Sequence, residues 1–201
     1  MKKVLVTIGR QYGSGGHEIG ERMAMILDIP FYDRDLIELA SEKSGIERGI
    51  LAIHDERTTQ AAILKMKGGN RGIGGEPVGD VLFEAQAEII REAAERGSCI
   101  LIGRCANYVL REWPELFSIY VTAPLEQRVL RIMERNRMSQ EDARTAVEKV
   151  DRQRQMYYEH HTGRPWGGEK DYDLTIDSSV LGVEKTAQKL ADMIRRKQQK
   201  E

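Results

Sequence analysis

Cysteine is nearly missing from this sequence: Cys99 and Cys105 are the only two in 201 residues. Two thiols at that spacing build neither a disulfide framework nor a metal-ligand motif. An excess of one charge is missing as well, since Lys plus Arg is 31 and Asp plus Glu is 32, a net charge of −1. That balance argues against a surface that tracks nucleic acid over its whole extent. Aromatic residues make up 6%, too sparse for a row of base-stacking platforms. No apolar run approaches the roughly 18 residues of a membrane span. The opening stretch, Met-Lys-Lys-Val-Leu-Val-Thr-Ile-Gly, runs into a glycine loop without a small-residue cleavage site. It reads as a strand rather than a signal peptide. What remains, 40% hydrophobic and 31% charged residues, can bury a core and is too apolar for wholesale disorder. The expectation is one cytoplasmic globular domain over residues 1–201, without nucleic-acid or membrane partners. The sequence leaves a homo-oligomer open.

Short apolar runs alternate with helical periodicity along the chain. Lys3–Ile8 is a β-branched run of the kind buried on both faces of a parallel sheet. From Gly16 to Leu27, Ile19, Met23, Ile26 and Leu27 mark an amphipathic helix. Ile29–Tyr32, Cys99–Gly103, Phe117–Thr122 and Asp173–Asp177 are the further strands. Helices are predicted at Leu36, Ile37 and Ala40, at Ala106–Glu112 ahead of Pro114, and through Leu125, Val129, Ile132 and Met133. Ser139 opens a Ser-x-x-Asp capping pattern and a polar helix to about Tyr158, and Val183, Ala187, Leu190 and Ile194 line the closing helix. Strands alternating with helices predict an α/β domain around a five-stranded parallel sheet. Two stretches depart from the repeat. One spans residues 45–80 and contains the mobile, glycine-rich Gly68–Gly75; the other is the arginine-rich Arg135–Gly168. Both are read as insertions that close over a substrate.

The first strand runs into GRQYGSGGHEIG, Gly9 to Gly20, and then into a helix. Glycines let backbone N–H groups converge on a phosphate, and the helix N-terminus adds its dipole. The phosphate-loop pattern is G-x-x-x-x-G-K-[ST]. Its glycine-serine-glycine fits Gly13, Ser14 and Gly15, which puts Gly16 in the lysine position and His17 in the hydroxyl position. The lysine is absent, and Arg10 is the cation within the loop. His17 is either a phosphate ligand or a surface residue.

This loop, together with IPFYDRDLIELA, ILIGRCANYVL, VTAPLEQRVLRI, DRQRQMYY and YDLTIDSS, resembles the bacterial cytidylate kinase-like family. The resemblance covers Lys3 to about Ile194. It implies a three-layer α/β/α fold of the P-loop kinases, a mobile monophosphate-binding insertion at about 45–80 and a helical arginine lid at about 135–168. The implied reaction transfers a phosphoryl group from ATP, with Mg²⁺, to a nucleoside monophosphate, CMP or dCMP above all. Asp151-x-x-Arg154 resembles the family's D-x-x-R, where the aspartate reads cytosine or orients the arginine. Arg104 matches the arginine of its G-R-D segment, and Cys105 stands where that segment has aspartate.

Phosphoryl transfer depends on positioning and charge neutralisation, for which arginine's planar fork is suited. Arg128, Arg131 and Arg135 share one helix face by spacing, Arg152 and Arg154 follow, and Arg104 ends the third strand. The candidate catalytic set is Arg10, Arg104, Arg128, Arg131, Arg152 and Arg154. Phosphate binding falls to Gly13, Ser14, Gly15, Gly16 and His17, and acceptor binding to Asp33, Arg104, Asp151 and Arg154. Asp33 is either a carboxylate near the reaction centre or a helix N-cap; Asp177 and Ser178 either lie by the donor base or cap a turn. Adjacent His160 and His161 cannot share a helix face and no cysteine joins them, so no protein metal site is expected. The competing function is a nucleotide-binding sensor whose loop holds phosphate without turnover.

Overall fold

The computed structural model describes residues 2–33 and 78–200. Strands β1 (Leu5–Arg10), β2 (Phe31–Tyr32), β3 (Cys99–Ile102), β4 (Leu116–Thr122) and β5 (Leu174–Asp177) form one sheet in the order β2-β3-β1-β4-β5. Every pairing is parallel, with Val6 opposite Ile100 and Phe117, and Tyr120 opposite Thr175. The helices are α1 (Gly16–Leu27), α2 (Val78–Arg96), α3 (Ala106–Val109), α4 (Leu125–Asn136), α5 (Gln140–Thr162) and α6 (Gly182–Lys200).

Alternation along β1 sorts the layers. Val4, Val6 and Ile8 point to one face, against Ile19 and Met23 of α1 and Leu190 and Ile194 of α6. Leu5 points to the other, against Leu82, Ile89, Ile90 and Ala93 of α2. Both faces are covered, as the unbroken apolar run of β1 requires. Each fully buried leucine or isoleucine contributes about 1.5–3 kcal/mol. This is the expected three-layer α/β/α arrangement. Because β1 lies between β3 and β4, the chain leaves β1 toward one edge and β3 toward the other. The crevice at the carboxyl ends of β1 and β3 is therefore where a doubly wound sheet binds its ligand.

Outside the sheet, α4 and α5 form a helical hairpin closed by Val129, Ile132, Ala143 and Val147. Its turn is made by Arg137 in the left-handed region (φ 52°) and by Ser139, whose hydroxyl accepts from the Asp142 N–H at 3.1 Å. Helix α5 and the residues after it fall in the stretch read as a lid, about 135–168, while α4 lies almost wholly ahead of it. Helix α5 runs past Tyr158 to Thr162, until Gly163 (φ 67°) turns the chain. The helix predicted at Ala106–Glu112 is one turn long, ending at Val109, and the chain passes through turns to Pro114. Helix α2 is absent from the sequence reading, although Leu82, Ala85, Ile89 and Ile90 have helical spacing. The helix predicted at Leu36–Ala40, the Gly68–Gly75 loop and nearly all of the 45–80 insertion lie outside the described residues. No described helix is long and apolar enough to cross a membrane.

Candidate active site

The glycine loop is held in place from three sides. Gln11 O accepts from the Ser14 N–H at 3.3 Å and from the Ser14 hydroxyl at 2.8 Å, folding the loop onto itself. Ser14 O accepts from the Ser178 hydroxyl at 2.6 Å, which ties the loop to the end of β5. From below, Arg128 donates to Ala123 O at 3.0 Å, Tyr12 O at 3.1 Å and Asp151 Oδ2 at 2.5 Å. Asp151 Oδ1 in turn accepts from the Tyr12 N–H at 2.7 Å. Gly15 caps α1 in the left-handed region (φ 78°) without a side-chain cap, and the Gly16 N–H donates to Ser14 Oγ at 3.4 Å. The helix N-terminus and its dipole favour an anion there.

The empty lysine position has a steric cause. A Cβ at Gly16 would stand 2.6 Å from Arg10 Cβ, 3.2 Å from Arg10 Cγ and 3.2 Å from Val121 Cβ. The stem of Arg10, from the end of β1, fills the space in which a residue 16 side chain would begin. Arg10 is buried, and its charge reaches Asp33. Together with Arg104 and Arg154 it lines a small cavity walled by Gly9, Gly103, Tyr157, Tyr158, Trp166 and Tyr172. Arg154 donates to Arg10 O at 3.1 Å.

Asp33 organises the far wall. Its Oδ1 accepts from Arg104 Nη1 at 2.5 Å and its Oδ2 lies 2.9 Å from His17 Nε2. Burial alone would raise its pKa, but the His17 hydrogen bond, the Arg104 charge and hydrogen bond, and the Arg10 charge override it. The carboxyl stays well below the usual carboxylate range. Arg104, itself buried, adopts φ 47° and also donates to Ile102 O at 3.2 Å. Burial pushes the Tyr158 phenol up to about 12 and those of Tyr120 and Tyr172 higher still, so all three stay protonated.

The structure thus brings Arg10, Arg104 and Arg154 to one cavity, joins Asp33 and His17 to it through Arg104, and sets Gly16 against the Arg10 stem. Arg128 and Asp151 meet beneath the loop and act on its backbone. Arg131 pairs with Glu18 and lies across the loop, its guanidinium carbon 3.4 Å from a Cβ built at Gly15. Arg152 is exposed on α5, away from this cluster. Asp177 Oδ1 accepts from the Ser179 N–H at 2.8 Å, a turn cap, while Ser178 holds the loop. Sequence reasoning missed Gln11, Tyr12 and Glu18 as loop contacts. Tyr12 works through its backbone N–H and O and so leaves no residue-type signal. Gln11 adds a side-chain tie, its Oε1 accepting from the Ala123 N–H at 3.3 Å.

The P-loop fold implies Mg²⁺ beside the nucleotide, and the loop does not fit it as a direct ligand. Imidazole at position 17 suits softer cations, and both oxygens of Asp33 are already engaged by His17 and Arg104. A hydrated Mg²⁺ would have to be carried by the phosphates themselves.

The model of the cytidylate kinase-like family matches residues 5–180. A cytidylate kinase from Methanopyrus kandleri is 32% identical over 104 residues, 48% of this chain. The match spans 54% of that relative, about half its length. An uncharacterized protein from Eubacterium ventriosum has the same fold at TM-score 0.74 and 27% identity, covering 97% of this chain and 99% of its own. A shikimate kinase from Acinetobacter baumannii in complex with shikimate matches at TM-score 0.52 and 15% identity, covering 98% of this chain and 95% of its own, a likeness of fold alone.

Proposed function

Because this chain belongs to the cytidylate kinase-like family, we propose that it is an ATP-dependent phosphotransferase acting on a nucleoside monophosphate, CMP or dCMP. One observation carries this reading: Arg10, Arg104 and Arg154, from three separate parts of the chain, line one cavity, and Gly16 of the glycine loop stands against the Arg10 stem. In this reading the backbone amides of Gly13–His17 hold the donor phosphates. An acceptor phosphate oxygen, already anionic, attacks the γ-phosphorus, a new P–O bond forms, the bond to the β,γ-bridging oxygen breaks, and ADP leaves. No base is needed, in keeping with the protonated tyrosines. Arg10 supplies, from the end of β1, the charge that the loop lysine otherwise brings, and Arg104 and Arg154 orient the two phosphate groups. Arg131, leaning over Gly15, would leave Glu18 for the phosphates as they arrive, and exposed Arg152 would act only on a closed lid. The partners are the two nucleotides, with Mg²⁺ accompanying ATP, and the setting is the cytoplasm.

Gly16 in place of lysine favours a second reading, a nucleotide sensor without turnover. A coupled assay of ADP formation with CMP, dCMP, UMP and AMP, alongside calorimetry of ATP binding, separates the two. Turnover with CMP or dCMP, lowered about 10²–10³-fold by Arg10→Ala, is the expected result. Gly16→Lys alone should lose activity, because it drives the new Cβ into the Cβ of Arg10, and the double variant Arg10→Gly/Gly16→Lys, which removes that atom, should regain part of it. ATP binding with no monophosphate phosphorylated would establish the sensor instead.

A further inference from the structure

We propose that Asp80, His160 and His161 form a binding site for a divalent transition-metal ion of the zinc class, joining the first turn of α2 to the last turn of α5. Successive residues on a helix point about 100° apart, so neighbouring histidines reach one ion only from the groove between their helix and another. Helix α2 supplies that second wall and the third ligand. Asp80 Oδ1 lies 3.2 Å from His160 Nε2 and 3.8 Å from His161 Nδ1, and the three ligand atoms all lie within 4.8 Å of one another. Zinc–nitrogen and zinc–oxygen bonds of about 2.0–2.1 Å place tetrahedral ligand atoms roughly 3.3 Å apart. One pair is at that separation already. The others close by rotation of Asp80 and His160, whose side chains are 42% and 28% exposed.

The second observation is His161 itself. Its side chain is 4% exposed, stacked on Phe83 with ring centroids 4.3 Å apart and edge-on to Tyr157. Its Nδ1, aimed at Asp80, is beyond hydrogen-bond range, and its Nε2 is buried with no partner among the described residues. Buried polar groups are nearly always satisfied. An ion on Nδ1 would take the lone pair that Asp80 approaches without hydrogen-bonding it; Nε2, on the opposite side of the ring, stays unpaired among the described residues with or without the ion. Two imidazoles and one carboxylate are a borderline-soft set that selects zinc, cobalt or nickel over magnesium, and three protein ligands leave the fourth position to water. The site lies one helical turn beyond Tyr157, which lines the arginine cavity, so the ion would brace the base of the lid against the sheet's helical layer.

The test uses tag-free protein stripped with EDTA and desalted, titrated with Co²⁺ while the visible absorption is followed, and then displaced with Zn²⁺. One equivalent with a tetrahedral cobalt spectrum is expected, with Mg²⁺ failing to compete. Zn²⁺ at a hundredfold excess over its Kd should raise Tm by about 5–10 °C. Asp80→Asn and His160→Ala, both at exposed positions and checked for an unchanged metal-free Tm, should each weaken Co²⁺ binding more than tenfold, since even loss of an outer-shell partner commonly costs 10–100-fold. No cobalt spectrum, or equal affinity in both variants and the wild type, overturns the proposal and leaves the cluster as a hydrogen-bonded helix junction. Neither outcome bears on nucleotide turnover.

Discussion

Replacing Asp151 with alanine tests whether the lid helix holds the glycine loop from below. The Arg128 and Asp151 side chains are 8% and 16% exposed and meet at 2.5 Å. Among the described residues, removing the carboxylate leaves Arg128 with its two carbonyl acceptors, Ala123 O and Tyr12 O, and strands the Tyr12 N–H. Breaking a buried pair on one side costs about 3–5 kcal/mol, and an unsatisfied N–H about 1–3 kcal/mol. The costs overlap, because water enters the space vacated by Asp151, so we expect about 3–4 kcal/mol in all. For a chain of this size that lowers Tm by about 6–16 °C. Urea denaturation of Asp151→Ala, Arg128→Met and the double variant closes a thermodynamic cycle with an expected coupling of about 2–3 kcal/mol. The double variant regains stability without regaining the ties from Asp151 and Arg128 to Tyr12. Its ATP affinity by calorimetry should therefore stay low. A coupling below about 0.5 kcal/mol, or wild-type ATP affinity in the double variant, would refute the loop-holding role.

Asp33 gives a pH signature. Its carboxyl has a lower pKa in the folded protein than in the unfolded chain, so its stabilisation is complete above the unfolded value of about 3.9 and fades as pH falls through and below about 4. Tm measured from about pH 7 to 2.5 should show Asp33→Asn below the wild type at neutral pH, with the two curves converging in acid; parallel curves would contradict the assignment. Cys99 is buried and its thiol is pushed up to about 11 by that burial, against a small opposing effect of Lys3, and Cys105 is buried as well. Neither should react with a disulfide reagent at pH 8 until urea unfolds the chain, and rapid labelling of the native protein would contradict their burial.

Much of the architecture is written locally. The run Val4–Ile8 is apolar on both faces, which only a sheet covered on two sides can bury, and β3 and β4 read the same way. The edge strands β2 and β5, only partly buried, were legible instead as short runs between turns. The glycines of Gly13–Gly16 and the missing lysine were legible too, because backbone conformation and residue identity are local properties. So was the lid's arginine content. What those arginines touch was not. Arg128 and Asp151 look from their positions like groups facing a substrate, yet the α4–α5 hairpin turns them under the loop, where they meet the backbone of Tyr12 from more than a hundred residues away in sequence. That Gly16 is glycine because the Arg10 stem occupies its side-chain space depends on how β1 enters α1 against Val121 of a third element. Asp80 meeting His160 and His161 depends on the packing of two helices that no local pattern relates. Residue type and spacing settle what a segment forms and which chemistry it carries. Which groups converge is decided by long-range packing, since one sequence period is compatible with many partners and only the closed core selects among them.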